Sequence, residues 1–382
     1  MTTSLHESFL QLVRLGIGHT ETTETTEITE KVDWVALKAI AERQGLNAIV
    51  LDGLDKYRTD TTENTDTSSN TNCTNFTNMP QKLRLEWIGE VLQNYEARYR
   101  QYEMAIGSLA GWYNQHGFKM MVLKGYVCSL DWPKPEHRPC GDIDIWLFNQ
   151  QAVADKELGS WLKVNGSWSG IDTSHHHHTV FEWEGFAVEN HYDFINVHHH
   201  KSHVKMETTL KELGQDDSHF VNVCGERVYI PSANLHALFL LKHAALHFAS
   251  SDLTLRQVMD WAFFVKKHGK DVGWEWLSEQ MEKYGMTDFY NCLNAICVGD
   301  LGFSVGIFPS VQFHPDMKER ILADILEPEF QGEEPRHLFS RVLFKYRRWK
   351  ANGWKHKFCY NESMWSAFWS GVWTHILKPA SI

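Results

Sequence analysis

The sequence predicts an α+β protein in which a small mixed β-sheet core is flanked by N-terminal helices and a C-terminal helical domain. Two observations lead to this fold class. Residues 119–231 contain short apolar runs separated by turn-forming residues, a pattern typical of strands. Residues 1–118 and 232–382 instead carry apolar side chains at helical spacing. The chain has 382 residues, which allows two or three structural units around a sizeable core.

Residues 1–118 are predicted to form a helical region with one long interruption. Helices are predicted at Val32–Leu54 and at Gln81–His116, and the glycines of the second indicate a break into two helices. Between these helices, the stretch at about residues 59–79 is composed almost entirely of Thr, Asn, Ser, Asp and Glu. Such side chains offset little of the entropy of ordering, so we predict a disordered loop there.

Residues 119–231 are predicted to form the α/β core, and residues 232–382 the helical domain. Strands are predicted at residues 119–123, 143–148, 179–183, 186–193 and 226–230, with a helix at 150–165. Later helices are predicted to begin after a cap at Ser232 and to continue at residues 254–268, 274–284, 336–350 and 364–377. The last helix would carry Trp365, Trp369 and Trp373 on one stripe, which favours core packing over a partner contact.

Composition narrows the classes of protein. The formal net charge of −11 argues against a generally basic nucleic-acid-binding surface but leaves local basic patches open. No uncharged apolar run reaches the ~20 residues of a membrane helix, and the first residues do not match a signal peptide. The seven cysteines are scattered without a Cys-x-x-Cys pair, so neither a disulfide framework nor a cysteine zinc site is expected. We expect a reducing, cytoplasmic location.

Three carboxylates carry the strongest chemical signal. Asp142 and Asp144 flank Ile143 at the start of a predicted strand, so their side chains share one face. Carboxylates at that separation repel each other unless a cation lies between them, and hard oxygen ligands suit Mg²⁺ or Mn²⁺. Glu189 follows Ala187 and Val188 in another predicted strand, where an unpaired charge would be costly. The set is typical of two-metal phosphoryl transfer.

Four segments around these carboxylates resemble a known family. They are Leu-Lys-Gly at 123–125, Arg-Pro-Cys-Gly-Asp-Ile-Asp-Ile at 138–145, Val-Glu-Asn-His at 188–191 and Leu-Arg-Gln-Val-Met-Asp-Trp-Ala at 255–262. These segments resemble the uncharacterised nucleotidyltransferase family of the polymerase-β-like superfamily, over about Val32–Leu301 without the Thr/Asn-rich loop. The resemblance implies a nucleotidyltransferase core. It also implies an enzyme that moves a nucleoside monophosphate from an NTP to a hydroxyl or phosphate acceptor, with release of pyrophosphate.

The resemblance also implies roles for individual residues. Asp142 and Asp144 would bind the catalytic Mg²⁺ or Mn²⁺, and Glu189 would be a third metal ligand or the base for the acceptor hydroxyl. The residues implied in nucleotide binding, with ATP or another NTP as substrate, are Lys124, Gly125, Arg138 and Gly141. Arg138 would either clamp a phosphate or brace the strand of the two aspartates. One departure is Tyr126, since the wider superfamily has a serine after the glycine of the phosphate turn.

The 22 histidines include runs at 175–178 and 198–200. Neutral imidazole is a common ligand of Zn²⁺ or Ni²⁺, whereas a His-rich polar loop without fixed partners makes a poor site; the second interpretation is favoured for most of them. His178 and His191 are exceptions, and we expect them to bind the metal or to support its ligands. His191 and Asp193 follow Glu189 on the same strand face.

Two further patterns have both a functional and a structural interpretation. Residues 345–357 interleave six Lys or Arg with three aromatic residues. Such a tract is typical of an RNA-binding patch or of a solvated helix with a buried aromatic stripe, and the acidic chain favours the latter. Arg256 and Asp260 lie four residues apart and are predicted to form an ion pair.

Two other functions stay open. The first is a non-catalytic nucleotide-binding or scaffold protein on the same fold. The second is a His-rich metal-dependent hydrolase. The acceptor of a transferase would be a small molecule, a saccharide, a protein or RNA, and the sequence indicates neither the acceptor, nor the preferred NTP, nor the oligomeric state.

Overall fold

The computed structural model describes residues 4–19, 32–63, 79–165, 170–175, 177–197, 201–250, 253–309, 314–330, 335 and 337–360. Within these residues, six strands form one mixed sheet in the order β3-β4-β2-β1-β6-β5. The strands are β1 (Met121–Val122), β2 (Ile143–Trp146), β3 (His178–Trp183), β4 (Phe186–His191), β5 (Phe220–Val223) and β6 (Glu226–Tyr229). Helices flank this sheet, and the predicted α+β class is confirmed.

The helices fall into three groups along the chain. Before the sheet lie α1 (Ser4–Gly16), α2 (Trp34–Arg43), α3 (Asn47–Glu63), α4 (Gln81–Val91) and α5 (Arg98–Gln115). Among the strands lie α6 (Tyr126–Ser129), α7 (Gln151–Asn165) and α8 (Lys201–Leu213). After the sheet come α9 (Ala233–Ser250), α10 (Leu255–His268), α11 (Trp274–Lys283), α12 (Thr287–Gly299), α13 (Pro315–Leu326), α14 (Leu338–Ala351) and α15 (Gly353–Tyr360). None of the described helices is both long and apolar enough to cross a membrane.

Strand register determines which side chains share a face of the sheet. β2 runs parallel to β4, and this pairing sets Asp144 beside Glu189. β3 runs antiparallel to β4, and this pairing sets His178 beside His191. Side chains alternate between faces along a strand, and paired residues point to the same side. Asp144, Glu189, His191 and His178 therefore lie on one face.

Different helices cover the two faces of the sheet. Ile143 and Ile145 belong to an apolar cluster with residues of α5 and α7. Trp146, which lies on the same face as Asp144, belongs instead to the larger cluster that contains residues of α9 and α10. The face with the carboxylates is thus the one on which the C-terminal helices pack, which places these charges between the sheet and that helical layer.

Several predicted elements differ in detail from the structure. The single helix predicted at Val32–Leu54 is two helices, α2 and α3, because the chain turns at Gly45 with φ of +67°. The break predicted near the glycines of Gln81–His116 is instead a π-helical segment at Leu92–Ala97. The sequence did not predict strand β5 or the individual helices α1, α6, α8, α12, α13 and α15. Helix α3 extends to Glu63, so the predicted loop at about residues 59–79 is wrong for its first residues. Residues 64–78 of the predicted loop and the predicted helix at 364–377, with its tryptophan stripe, lie outside the described residues.

Helices α1 and α3 approach each other closely enough to require glycine. A Cβ on Gly53 would lie 2.0 Å from the backbone oxygen of Leu12, and one on Gly16 would lie 2.1 Å from that of Ile49. Real Cβ atoms do not approach a backbone oxygen so closely, so either side chain would push the helices apart. The N-terminal helix is therefore held by backbone-to-backbone contact as well as by its buried Phe9.

We expect Gly53→Ala to lower the free energy of unfolding by about 1–3 kcal/mol, because it overpacks the contact between α1 and α3. Gly89→Ala is the matched control, since a Cβ at that position in α4 meets nothing within 4 Å. It should stabilise the protein by up to about 1 kcal/mol through helix propensity. Urea unfolding measures both changes, and equal effects of the two substitutions would contradict the described packing.

Candidate active site

The backbone before β2 is fixed from the opposite side of the sheet. Tyr102 of α5 is buried, and its hydroxyl donates a hydrogen bond to the carbonyl oxygen of Asp142 at 2.7 Å. This contact leaves the Asp142 carboxylate exposed at the strand start, whereas Asp144 is 2% exposed. The two aspartates therefore differ in their environment, although only Ile143 separates them.

Gly125 makes the turn that brings Lys124 to the carboxylates. Its φ is +65°, which L-residues with a side chain rarely adopt, and a Cβ there would lie 2.6 Å from the Tyr102 hydroxyl. The turn leads into the short helix α6, and the Lys124 ammonium lies 2.9 Å from Oδ1 of Asp144. A Cβ on Gly141, by contrast, would meet nothing within 4 Å, so that position borders open space.

Two cations hold Asp144 in its ionised form. Oδ1 of Asp144 lies 2.9 Å from the Lys124 ammonium and 3.0 Å from Nε2 of His191. Burial alone would raise the pKa of Asp144. The charge of Lys124 and the hydrogen bond from His191 outweigh burial and hold that pKa well below its usual range.

His191 bridges two of the carboxylates. Its Nε2 lies 3.0 Å from Asp144 and 3.5 Å from Oε2 of Glu189, and its Nδ1 lies 3.2 Å from the carbonyl oxygen of Asp193. Burial would lower the pKa of His191, but the hydrogen bonds to Asp144 and Glu189 outweigh it and raise that pKa to about 9. Both ring nitrogens face oxygen acceptors, so the ring is a protonated donor on both sides.

Negative charge is nevertheless in excess at this site. Burial, followed by the charges of Glu189 and Asp144, raises the pKa of Asp142. Three carboxylates thus converge on two cations, Lys124 and His191, and the outermost carboxylate is left without a partner of opposite charge at contact distance among the described residues. A cluster of oxygen donors with an excess of negative charge fits a hard divalent cation such as Mg²⁺ or Mn²⁺.

Imidazoles line the other side of Glu189. Ligand atoms of His178, Glu189 and His191 all lie within 4.8 Å of one another. The rings of His177 and His178 are 4.3 Å apart. Burial and then the neighbouring histidines lower the pKa of His177 to about 3. Burial is also the main cause that lowers the pKa of His178, to about 4, so both rings are neutral at pH 7. The run at 198–200 lies outside the described residues.

Helix α7 anchors strand β4 from the face opposite the carboxylates. The buried Asp155 accepts hydrogen bonds from Thr179 at 2.7 Å, from Asn190 at 2.8 Å and from Tyr192 at 2.9 Å. The amide of Gln151 donates to the carbonyl oxygen of His191 at 3.0 Å. These bonds restrain β4 directly after Glu189 and tie it to β3, which limits the directions that the Glu189 side chain can take.

Arg138 lies in a buried ion pair. Its Nε and a terminal nitrogen donate to the two oxygens of Asp260 at 2.8 and 2.9 Å, and Trp132 donates to the same carboxylate at 2.9 Å. This geometry argues against the phosphate-clamping role and fits the bracing role, because the guanidinium is engaged. The expected pair between Arg256 and Asp260 is wrong, since Arg138 takes that carboxylate.

Helices α9 and α10 bring to the site three residues for which the sequence predicted no role there: His243, His247 and Arg256. Burial, and then the charge of Lys124, lower the pKa of His243 well below its usual range and that of His247 to about 4. The charge of Arg256 also lowers the pKa of both imidazoles. Burial, and then the charge of Arg138, lower the pKa of Arg256 itself. The sequence signal for His243 and His247 is their four-residue spacing on one face of a mostly apolar helix.

Asp193 and the basic tract have structural partners. The Asp193 side chain pairs with Lys211, and only its carbonyl oxygen faces His191. In the tract at 345–357, Lys355 is buried and lies 2.5 Å from Asp324, so this part of the tract belongs to the core. Exposed Arg347 and Lys350 lie on α14. Binding of RNA by the tract stays the less favoured of its two interpretations.

A comparison with known families identifies the class of protein. A family model described as an uncharacterised nucleotidyltransferase matches residues 30–298. The match spans more than half of the chain and includes every strand of the sheet, so the protein belongs to this family. Membership supports a general nucleotidyltransferase function with a nucleotide substrate. No curated protein and no solved structure matches the chain.

We expect Arg138→Gln to destabilise the protein far more than Arg256→Gln does. Arg138→Gln leaves the buried Asp260 carboxylate without the cation that now pairs with it, and should lower the free energy of unfolding by about 3–5 kcal/mol. Arg256→Gln removes a cation that has no ion pair among the described residues and is repelled by Arg138, so the change should stay within about 1 kcal/mol. Chemical denaturation distinguishes the two, and a larger loss in Arg256→Gln would contradict this assignment.

Proposed function

We propose that this protein is a metal-dependent nucleotidyltransferase. It would move a nucleoside monophosphate from an NTP to a hydroxyl or phosphate acceptor and release pyrophosphate. The observation that carries the proposal is the convergence of Asp142, Asp144 and Glu189 on one sheet face beside Lys124, in a chain of a nucleotidyltransferase family. A bound Mg²⁺ or Mn²⁺ would neutralise phosphate charge and make the acceptor oxygen a better nucleophile.

The carboxylates have separate tasks in this proposal. Asp142 and Asp144 would hold the metal ions, and their mutual repulsion supports such a role because a cation would relieve it. Glu189 lies partly open to solvent and would either complete the metal site or take the proton of the acceptor hydroxyl on a carboxylate oxygen. His191 would stabilise the charge on Asp144 and Glu189, as its contacts with both carboxylates indicate.

Cations at the margin of the site would bind the triphosphate. Lys124 is placed beside the carboxylates by the turn at Gly125. We add Arg256, because it is half-buried, makes no ion pair among the described residues and lies within electrostatic reach of the same histidines as Lys124. Arg138 is assigned the bracing role instead, since its guanidinium is held by Asp260. The acceptor would enter from the open side near Gly141.

We expect Asp142→Asn to reduce Mg²⁺-dependent release of pyrophosphate from NTP by at least about 100-fold, because a neutral amide would replace a charged carboxylate ligand of the proposed metal. The Asp142 carboxylate is exposed, so the variant should keep the melting temperature of the wild type. Asp288→Asn on α12 is the matched control, as it removes an exposed carboxylate far along the chain from the sheet.

The assay uses each of the four NTPs with a panel of acceptors and detects pyrophosphate. Full turnover by Asp142→Asn would refute the assigned mechanism. NTP binding without pyrophosphate release by the wild type, across the whole panel, would favour the non-catalytic nucleotide-binding protein instead.

A further inference from the structure

The site contains two chemically different sets of donors. Asp142 and Asp144 offer oxygen alone, which is the ligand type of Mg²⁺. His178, Glu189 and His191 offer two imidazoles and one carboxylate, and their ligand atoms lie within 4.8 Å of one another. Two histidines and one glutamate are a ligand set typical of Zn²⁺ with an open fourth position. The face of one sheet thus presents both sets side by side.

We propose that His178, Glu189 and His191 form a second metal position that takes a borderline divalent cation, Zn²⁺ in the first instance, next to the Mg²⁺ position of Asp142 and Asp144. This proposal deepens the proposed function and rests on it for the role of the aspartates. The two positions would select different ions, because imidazole ligands suit Zn²⁺ whereas carboxylate ligands alone suit Mg²⁺.

An orphaned nitrogen of His178 supports the proposal independently. His178 is 9% exposed, and its Nδ1 is buried without a hydrogen-bond partner among the described residues. A buried polar atom in that state costs free energy unless something satisfies the ring. Nδ1 of the neighbouring His177 is also buried without a hydrogen-bond partner among the described residues. Two adjacent rings in this state, one of them beside Glu189, are unusual for a purely structural cluster.

The supporting contacts of the three donors are in place. The backbone at His191 is held by Gln151 of α7, and Nδ1 of its ring is held by the Asp193 carbonyl oxygen, which leaves Nε2 directed at the carboxylates. Such outer contacts fix the orientation of a ligating imidazole. Glu189 has 24% of its side chain exposed, so a cation has a route from solvent. Binding would displace the proton that Nε2 now shares with the carboxylates.

The test measures retained metal on the full chain. Protein stripped with EDTA is dialysed against Zn²⁺ with excess Mg²⁺, and bound zinc is counted by mass spectrometry. We expect about one tightly held Zn²⁺ in the wild type, a loss of affinity of at least about tenfold in His178→Gln, and no change in Asp142→Asn. His219→Gln is the matched control, because this exposed imidazole faces a single carboxylate, that of Asp216.

Zinc X-ray absorption of the wild type provides a measurement that needs no variant. The expected spectrum shows nitrogen and oxygen donors at about 2.0–2.2 Å with the scattering of two imidazoles. The proposal is overturned if the wild type retains no Zn²⁺, or if His178→Gln binds it as well as His219→Gln. It is also overturned if Asp142→Asn loses Zn²⁺ while His178→Gln keeps it. Zinc binding as expected, with no NTP turnover, would remove the transferase and leave the metal position standing.

Discussion

The parallel pairing of β2 with β4 is the constraint on which the candidate site depends. It sets Asp144 and Glu189 side by side, and the antiparallel pairing of β3 with β4 extends the same row to His191 and His178. A shift of one residue in either ladder would turn these side chains to the apolar face that packs on α5 and α7. The buried network of Asp155 opposes such a shift, since it binds β3 and β4 to α7.

The cost of placing several charges beneath a helical layer explains much of the local structure. Lys124 and His191 supply the positive charge that keeps the buried Asp144 ionised, and the turn at Gly125 is what brings Lys124 within reach. A separate buried pair, Arg138 with Asp260, ties the segment before β2 to α10. The site is therefore held by two ion-pair networks, one among the clustered carboxylates and one that joins the sheet to the C-terminal helices.

Much of the fold and part of the candidate site could be predicted from the sequence. The remaining features depend on contacts between residues that are distant in the chain. Period-two spacing was sufficient to put Asp142 and Asp144 on one face, and the strand with Glu189 was recognisable from its apolar neighbours. Local spacing does not determine the order of the strands, so the contact between Asp144 and His191 could be found only in the structure. The partner of Arg138 could not be predicted for the same reason. Asp260 is 122 residues away, and its four-residue spacing from Arg256 favoured the wrong pair. The missed strand β5 is short and partly exposed, without the apolar run that marks a buried strand.

The most direct test of the account is calorimetry of NTP binding with and without Mg²⁺, on the wild type, Asp142→Asn and Asp144→Asn, with thermal melts to verify folding. The account predicts that at least one NTP binds the wild type only when Mg²⁺ is present, and that each folded variant loses this dependence. Binding of NTP that is equally strong without Mg²⁺, or unchanged in both variants, would contradict the claim that these carboxylates form a metal-dependent nucleotide site.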